Sequence, residues 1–161
     1  MRHIAVIALA AFAAAPAAAQ QAGPDNGTAL VEEIAGSMDA DGDGLLSPQE
    51  IEPLSKRVFA AIDADASGTV TLGEVRDWDS GMAGAAAFRG RAQAYEAATA
   101  FAFALFDGDG DGVMTAPEHR EGIAHAVAFA DRDGDGMLSR QAFLDRFVYA
   151  VVARSALEPG R

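Results

Sequence analysis

Apolar residues recur along this chain at helical spacing, in short runs cut by polar stretches that carry glycine. Leu30, Ile34 and Met38 fall every four residues and predict a short amphipathic helix. Ile51, Leu54, Val58 and Ile62 continue a second stripe, and Val75, Trp78 and Met82 mark a third. Phe88, Ala92, Tyr95, Thr99, Phe103 and Phe106 form the longest helical pattern, and helical packing in a core produces that period. Ile123 and Val127 face one way further on, and Phe143, Phe147 and Val151 predict the final helix. Pro53 interrupts the second stripe and is expected to kink or restart it. Trp78 reads as core at a helix end.

The polar stretches between these runs are four versions of one twelve-residue phrase, beginning at Asp39, Asp63, Asp107 and Asp131. The first and second start 24 residues apart, as do the third and fourth, so the chain reads as an internal duplication. Two glycines within residues 80–84 offer the break between halves. Each phrase places oxygen-bearing side chains at positions 1, 3, 5 and 9, with glycine at 6 for a sharp turn. Three of the four end on a glutamate at position 12. With the carbonyl at position 7, those oxygens can surround one hard divalent cation.

In this pattern the chain resembles the EF-hand superfamily, in its compact, closely spaced exported bacterial form, over residues 28 to about 153. The resemblance implies an all-α fold of helix-loop-helix repeats, four loops in two duplicated halves, and calcium binding. Carried onto this sequence, the first loop's ligands are Asp39, Asp41, Asp43, the carbonyl of Leu45, Ser47 and Glu50. The second has Asp63, Asp65, Ser67, the carbonyl of Thr69, Thr71 and Glu74. The third has Asp107, Asp109, Asp111, the carbonyl of Val113, Thr115 and Glu118. Ser67 replaces a carboxylate, so the second loop should attract an ion less strongly. The fourth offers Asp131, Asp133, Asp135, the carbonyl of Met137 and Ser139, but Ala142 stands where the bidentate glutamate belongs. It is expected to be weak or vestigial, giving three calcium sites and a fourth weak or absent. A flexible shell with a bidentate ligand suits calcium better than magnesium.

The loop ends have a structural role as well. Ser47 to Glu50 has a helix-capping pattern with proline at the first helical position, and Thr71 and Thr115 repeat the cap with Glu74 and Glu118. Capping does not account for three upstream aspartates that repel one another. The apolar residues at position 8, Leu46, Val70, Met114 and Leu138, fit short strands by which such loops pair. One helix across the 12 residues from Glu50 to Asp63 would hold the first two loops ~18 Å apart. That favours pairing of loop two with loop three and of one with four, against the usual pairing of consecutive loops.

Formal charge is −12, from 24 acidic and 12 basic residues. Fourteen of the acids lie in the four loops, which leaves ten acids against the chain's twelve basic residues. Such a surface repels nucleic acid and anionic lipid. Residues 1–19 read as a signal peptide: Arg2 and His3, an apolar run too short to span a bilayer, then Ala17-Ala18-Ala19. An uncleaved anchor is the alternative. The alanine-rich leader looks bacterial, which points to export to periplasm or medium without stable membrane insertion. Residues 20–27 read as a disordered lead-in, 28–83 and 84–155 as the two halves, and 156–161 as a tail. With no cysteine in the chain, disulfides and thiolate metal sites are excluded. His119 and His125 lie six apart, off a common helical face, and His119 reads as exposed. Nothing in the sequence supports an enzyme. The readings that stand are a structural or buffering calcium module and a calcium-dependent sensor that recruits a protein partner.

Overall fold

Where a loop ends in serine or threonine followed three residues later by glutamate, the chain turns directly into a helix. In a computed structural model of the protein, residues 26–78 and 82–157 are described. Helix α1 (Asn26–Met38) leads into β1 (Leu45–Leu46) and α2 (Pro48–Ile62). Strand β2 (Thr69–Thr71) leads into α3 (Leu72–Asp77), and α4 (Met82–Phe88) and α5 (Ala92–Phe106) follow. Then come β3 (Val113–Thr115), α6 (Ala116–Ala130), β4 (Leu138–Ser139), α7 (Arg140–Arg146) and α8 (Val148–Leu157). The expected signal peptide lies outside the described residues. No helix among the described residues is long and apolar enough to cross a membrane.

The strands pair as helix length requires. Strand β2 runs antiparallel to β3, Val70 opposite Met114, and β1 runs antiparallel to β4, Leu46 opposite Leu138. These four position-8 residues are all buried. Loops two and three therefore sit back to back at one end of α2, and loops one and four at the other. Pro53 lies inside α2 and does not restart it. Its ring is exposed, so the missing amide bond, which costs ~3 kcal/mol in a helix interior, leaves a carbonyl that water can reach.

Two long stripes resolve into pairs of helices. The chain turns at residues 89–91, where Gly90 takes φ +70°, so the pattern from Phe88 to Phe106 is not one helix. Phe88 is consequently 83% exposed, whereas Thr99, Phe103 and Phe106 are buried as expected. The last stripe breaks at Phe147, the cap of α7. Phe147 is buried, but Val151, on α8, is 45% exposed. Trp78 caps α3 and is half-buried against the core, whereas Met82 belongs to α4.

One apolar cluster runs through both halves, from Val31, Ile34 and Met38 to Phe143, Phe147 and Ala150. Beside these residues lies a cavity of about 100 Å³, also bordered by Ile51 and Leu54. Helices α5 and α6 approach so closely that a Cβ on Gly122 would fall 2.1 Å from the Phe106 ring. That ring stacks on His119 and on Tyr149, at centroid distances of 5.5 and 5.2 Å. His119 is buried, contrary to the sequence reading. Its Nε2 pairs with the Tyr149 hydroxyl at 2.9 Å and its Nδ1 with Ser55 Oγ at 3.3 Å. Those two partners, one on α2 and one on α8, satisfy a polar ring set in the core. Burial pushes its pKa down to about 4.

Candidate metal centre

Each loop is a turn drawn around its first aspartate. The residue-6 amide donates to that carboxylate in all four: Gly44 to Asp39 at 3.1 Å, Gly68 to Asp63 at 3.0 Å, Gly112 to Asp107 at 3.0 Å and Gly136 to Asp131 at 2.8 Å. The fifth residue accepts from the amide of the seventh: Asp43 from Leu45, Ser67 from Thr69, Asp111 from Val113 and Asp135 from Met137. Positive φ is required at two points. Position 6 is glycine throughout, but position 4 is Gly42, Gly110, Gly134 and, in loop two, Ala66 at φ +57°. A Cβ there is strained.

The carboxylates converge. One oxygen from each member lies within 4.8 Å of the others in Asp39, Asp41 and Asp43; in Asp63, Asp65 and Glu74; in Asp107, Asp109 and Glu118; and in Asp131, Asp133 and Asp135. Glu50 and Asp111 belong to their loops without joining these groups of three.

The closing glutamates clasp three loops shut. Glu50 Oε2 accepts the amide and hydroxyl of Ser47 at 2.9 and 2.7 Å, while Oε1 accepts the Ala40 amide at 2.8 Å. Glu74 does the same between Thr71 and Ala64, and Glu118 between Thr115 and Gly108. Ser47, Thr71 and Thr115 return the bond to the glutamate amide, completing a capping box on α2, α3 and α6. These bonds favour the ionised form. The Ser47 amide, then its hydroxyl and the Ala40 amide, hold Glu50 down to about 2. Glu74 and Glu118 are lowered likewise, chiefly by the amides of Thr71 and Thr115.

Loop four keeps the turn and loses the clasp. Ser139 caps α7 through the Ala142 amide at 3.1 Å, but Ala142 is buried and has no oxygen to return. Asp145 does not take its place, because it accepts from Gln141 at 2.7 Å and from Arg154 at 3.3 Å. Both oxygens of Asp131 are held by loop amides, those of Gly136 and Gly134, which keep its pKa low.

The donor set fits a hard cation: oxygen throughout, carboxylates gathered at short range and no thiolate. One atom carries this further. Asp39 Oδ1 is buried with no hydrogen-bond partner, and an oxygen so placed is costly unless something positive completes it. The acidic groups that converge are among those the sequence spacing singled out. Sequence reasoning missed Arg140, whose Nη2 lies 3.5 Å from Asp39 Oδ2, because loops one and four meet only through the β1–β4 pairing.

No curated protein and no solved structure matches the chain. Residues 37–52 match the family model described as EF hand. That span holds loop one with its flanking helix ends, and three further loops repeat its turn and its acidic cluster. Loop one is thus similar to an EF hand, and four acidic loop clusters set between helices fit a fold of EF-hand repeats.

Proposed function

We propose that this is an exported calcium-binding protein of structural or buffering type, with ions held by loops one, two and three and a fourth loop that is weak or vestigial. The observation that carries the reading is the set of three clasped loops, each closed by a glutamate that spans from the helix cap back to position 2. Ligation falls to Asp39, Asp41, Asp43, Leu45, Ser47 and Glu50 in loop one; to Asp63, Asp65, Ser67, Thr69, Thr71 and Glu74 in loop two; and to Asp107, Asp109, Asp111, Val113, Thr115 and Glu118 in loop three. When bound, the ion supplies positive charge to clustered carboxylates that otherwise repel. Export follows from the leader in residues 1–19, and outside the cytoplasm abundant calcium would keep such sites filled.

Calcium should therefore raise stability strongly, because an ion that binds only the folded state adds ~2.7 kcal/mol per site at a hundredfold excess over Kd. Thermal melting with calcium and with chelator tests this, and an unchanged midpoint contradicts it. The sensor reading is favoured by one observation: Phe101 and Leu105, one turn apart on α5, are 65% and 54% exposed. A hydrophobic dye separates the two in the same titration. A buffer keeps dye binding flat, and a strong calcium-dependent rise points to partner recruitment.

A further inference from the structure

The residue after each loop's capping serine or threonine is Pro48, Leu72, Ala116 and Arg140, so loop four alone has a charge there. The β1–β4 register sets Ser139 opposite Leu45 and thereby brings Arg140 against the neighbouring loop. Its Nη2 lies 3.5 Å from Asp39 Oδ2, the oxygen that also accepts the Gly44 amide. The Asp39 side chain is only 3% exposed, and its other oxygen is the buried one without a partner. Gly36 on α1 makes the seat, since a Cβ there would lie 3.3 Å from Arg140 Nη2. The counterparts differ. Asp63, Asp107 and Asp131 each have both oxygens held by backbone amides of their own loop.

We propose that Arg140 sets the calcium affinity of loop one, as a fixed cation lent by the loop that lost its closing glutamate. This inference rests on the calcium-binding reading above. The guanidinium draws on Oδ2 and leaves Oδ1 for the ion. It also offsets part of the repulsion among Asp39, Asp41, Asp43 and Glu50, which steadies the metal-free loop. The same charge opposes the arriving cation, so loop one holds calcium less tightly than its four carboxylates alone would. Asp39 is already fixed by Gly44 and by burial, so charge outweighs positioning. Arg140 is half exposed, and solvent limits the effect to about three- to tenfold in affinity.

The test isolates loop one by combining Glu74→Gln with Glu118→Gln and titrating calcium against that parent, its Arg140→Gln form and its Arg140→Lys form. The glutamine form should bind calcium about three- to tenfold more tightly at low salt, and the gap should narrow near ~0.5 M KCl, where screening is short-ranged. The lysine form should stay near the parent. Gly36→Ala, which crowds the guanidinium, should shift affinity in the glutamine direction while circular dichroism confirms the fold. Unchanged or weaker binding in Arg140→Gln overturns the proposal and leaves the calcium reading standing. A parent that binds no calcium, indistinguishable from its Glu50→Gln form, overturns the proposal and removes loop one from the calcium reading, and an unsubstituted protein that binds none overturns that reading whole.

Discussion

Loops one and four lie side by side, joined through Leu45–Leu46 and Leu138–Ser139, and both gather three aspartates around the same turn. They differ at position 12. Loop one has Glu50, bonded at once to Ser47 and Ala40, while loop four has Ala142 in the core. The comparison separates two jobs that the repeat combines. Aspartate at position 1 and glycine at position 6 make the turn in both loops, and in loop four they do so without any help from position 12. The glutamate supplies closure and, in the reading proposed above, two ligand oxygens. A loop can therefore lack its closing glutamate and keep its place in the fold, because Leu138 still completes the strand pair and Ser139 still caps a helix.

The sharpest way to break this comparison is to make loop one resemble loop four at its closing residue. Glu50→Gln removes a charge and bidentate coordination, and loop-one calcium affinity should fall by about 100-fold or more. The strand pair and the fold should persist, as in loop four. Calorimetric titration alongside circular dichroism checks both halves of that statement. Retained affinity, or a collapsed fold, would erase the distinction between turn and closure.

A smaller effect probes the core that holds both loops. His119 is neutral when folded, with its pKa lowered from about 6.5 to about 4 by burial. The unfolded chain binds the proton first, so stability is full above pH 6.5 and is lost as pH falls from there through 4. The loss is on the order of 3–4 kcal/mol at ~1.4 kcal/mol per unit. The lowered glutamates contribute in the same direction, but only below about pH 4.5. His119→Gln should flatten the dependence of the metal-free protein's stability between pH 6.5 and 4.5, measured by denaturant unfolding. A slope there equal to the parent's would remove His119 as its source.

Much of this was legible in the residues. The acidic clusters, capping boxes and position-8 strands follow from spacing, because a tight turn and a helix start are local. The pairing of loop one with loop four followed from the length of α2. His119 was misread because its partners Ser55 and Tyr149 are 64 and 30 residues away. Phe88 was misread because a stripe at helical spacing continues across Gly90, whose positive φ ends the helix. Arg140 was missed for the same reason as His119: its partner Asp39 belongs to the other half of the chain.

The smallest change sharpens the comparison from the side of the turn. Ala66 stands at positive φ where the other three loops have glycine, so Ala66→Gly should relieve strain and raise stability by up to about 1 kcal/mol. The same exchange should leave the number of bound ions unaltered. A destabilised variant in chemical unfolding would show that the backbone at this position is not the constraint.

The claim that closure rather than the turn decides binding is tested most directly by counting ions in native mass spectrometry, for the parent and for Ala142→Glu at moderate calcium. The account predicts three retained ions in the parent and four once the glutamate is restored. Four equally held ions in the parent, or a count that Ala142→Glu leaves unchanged, would contradict it.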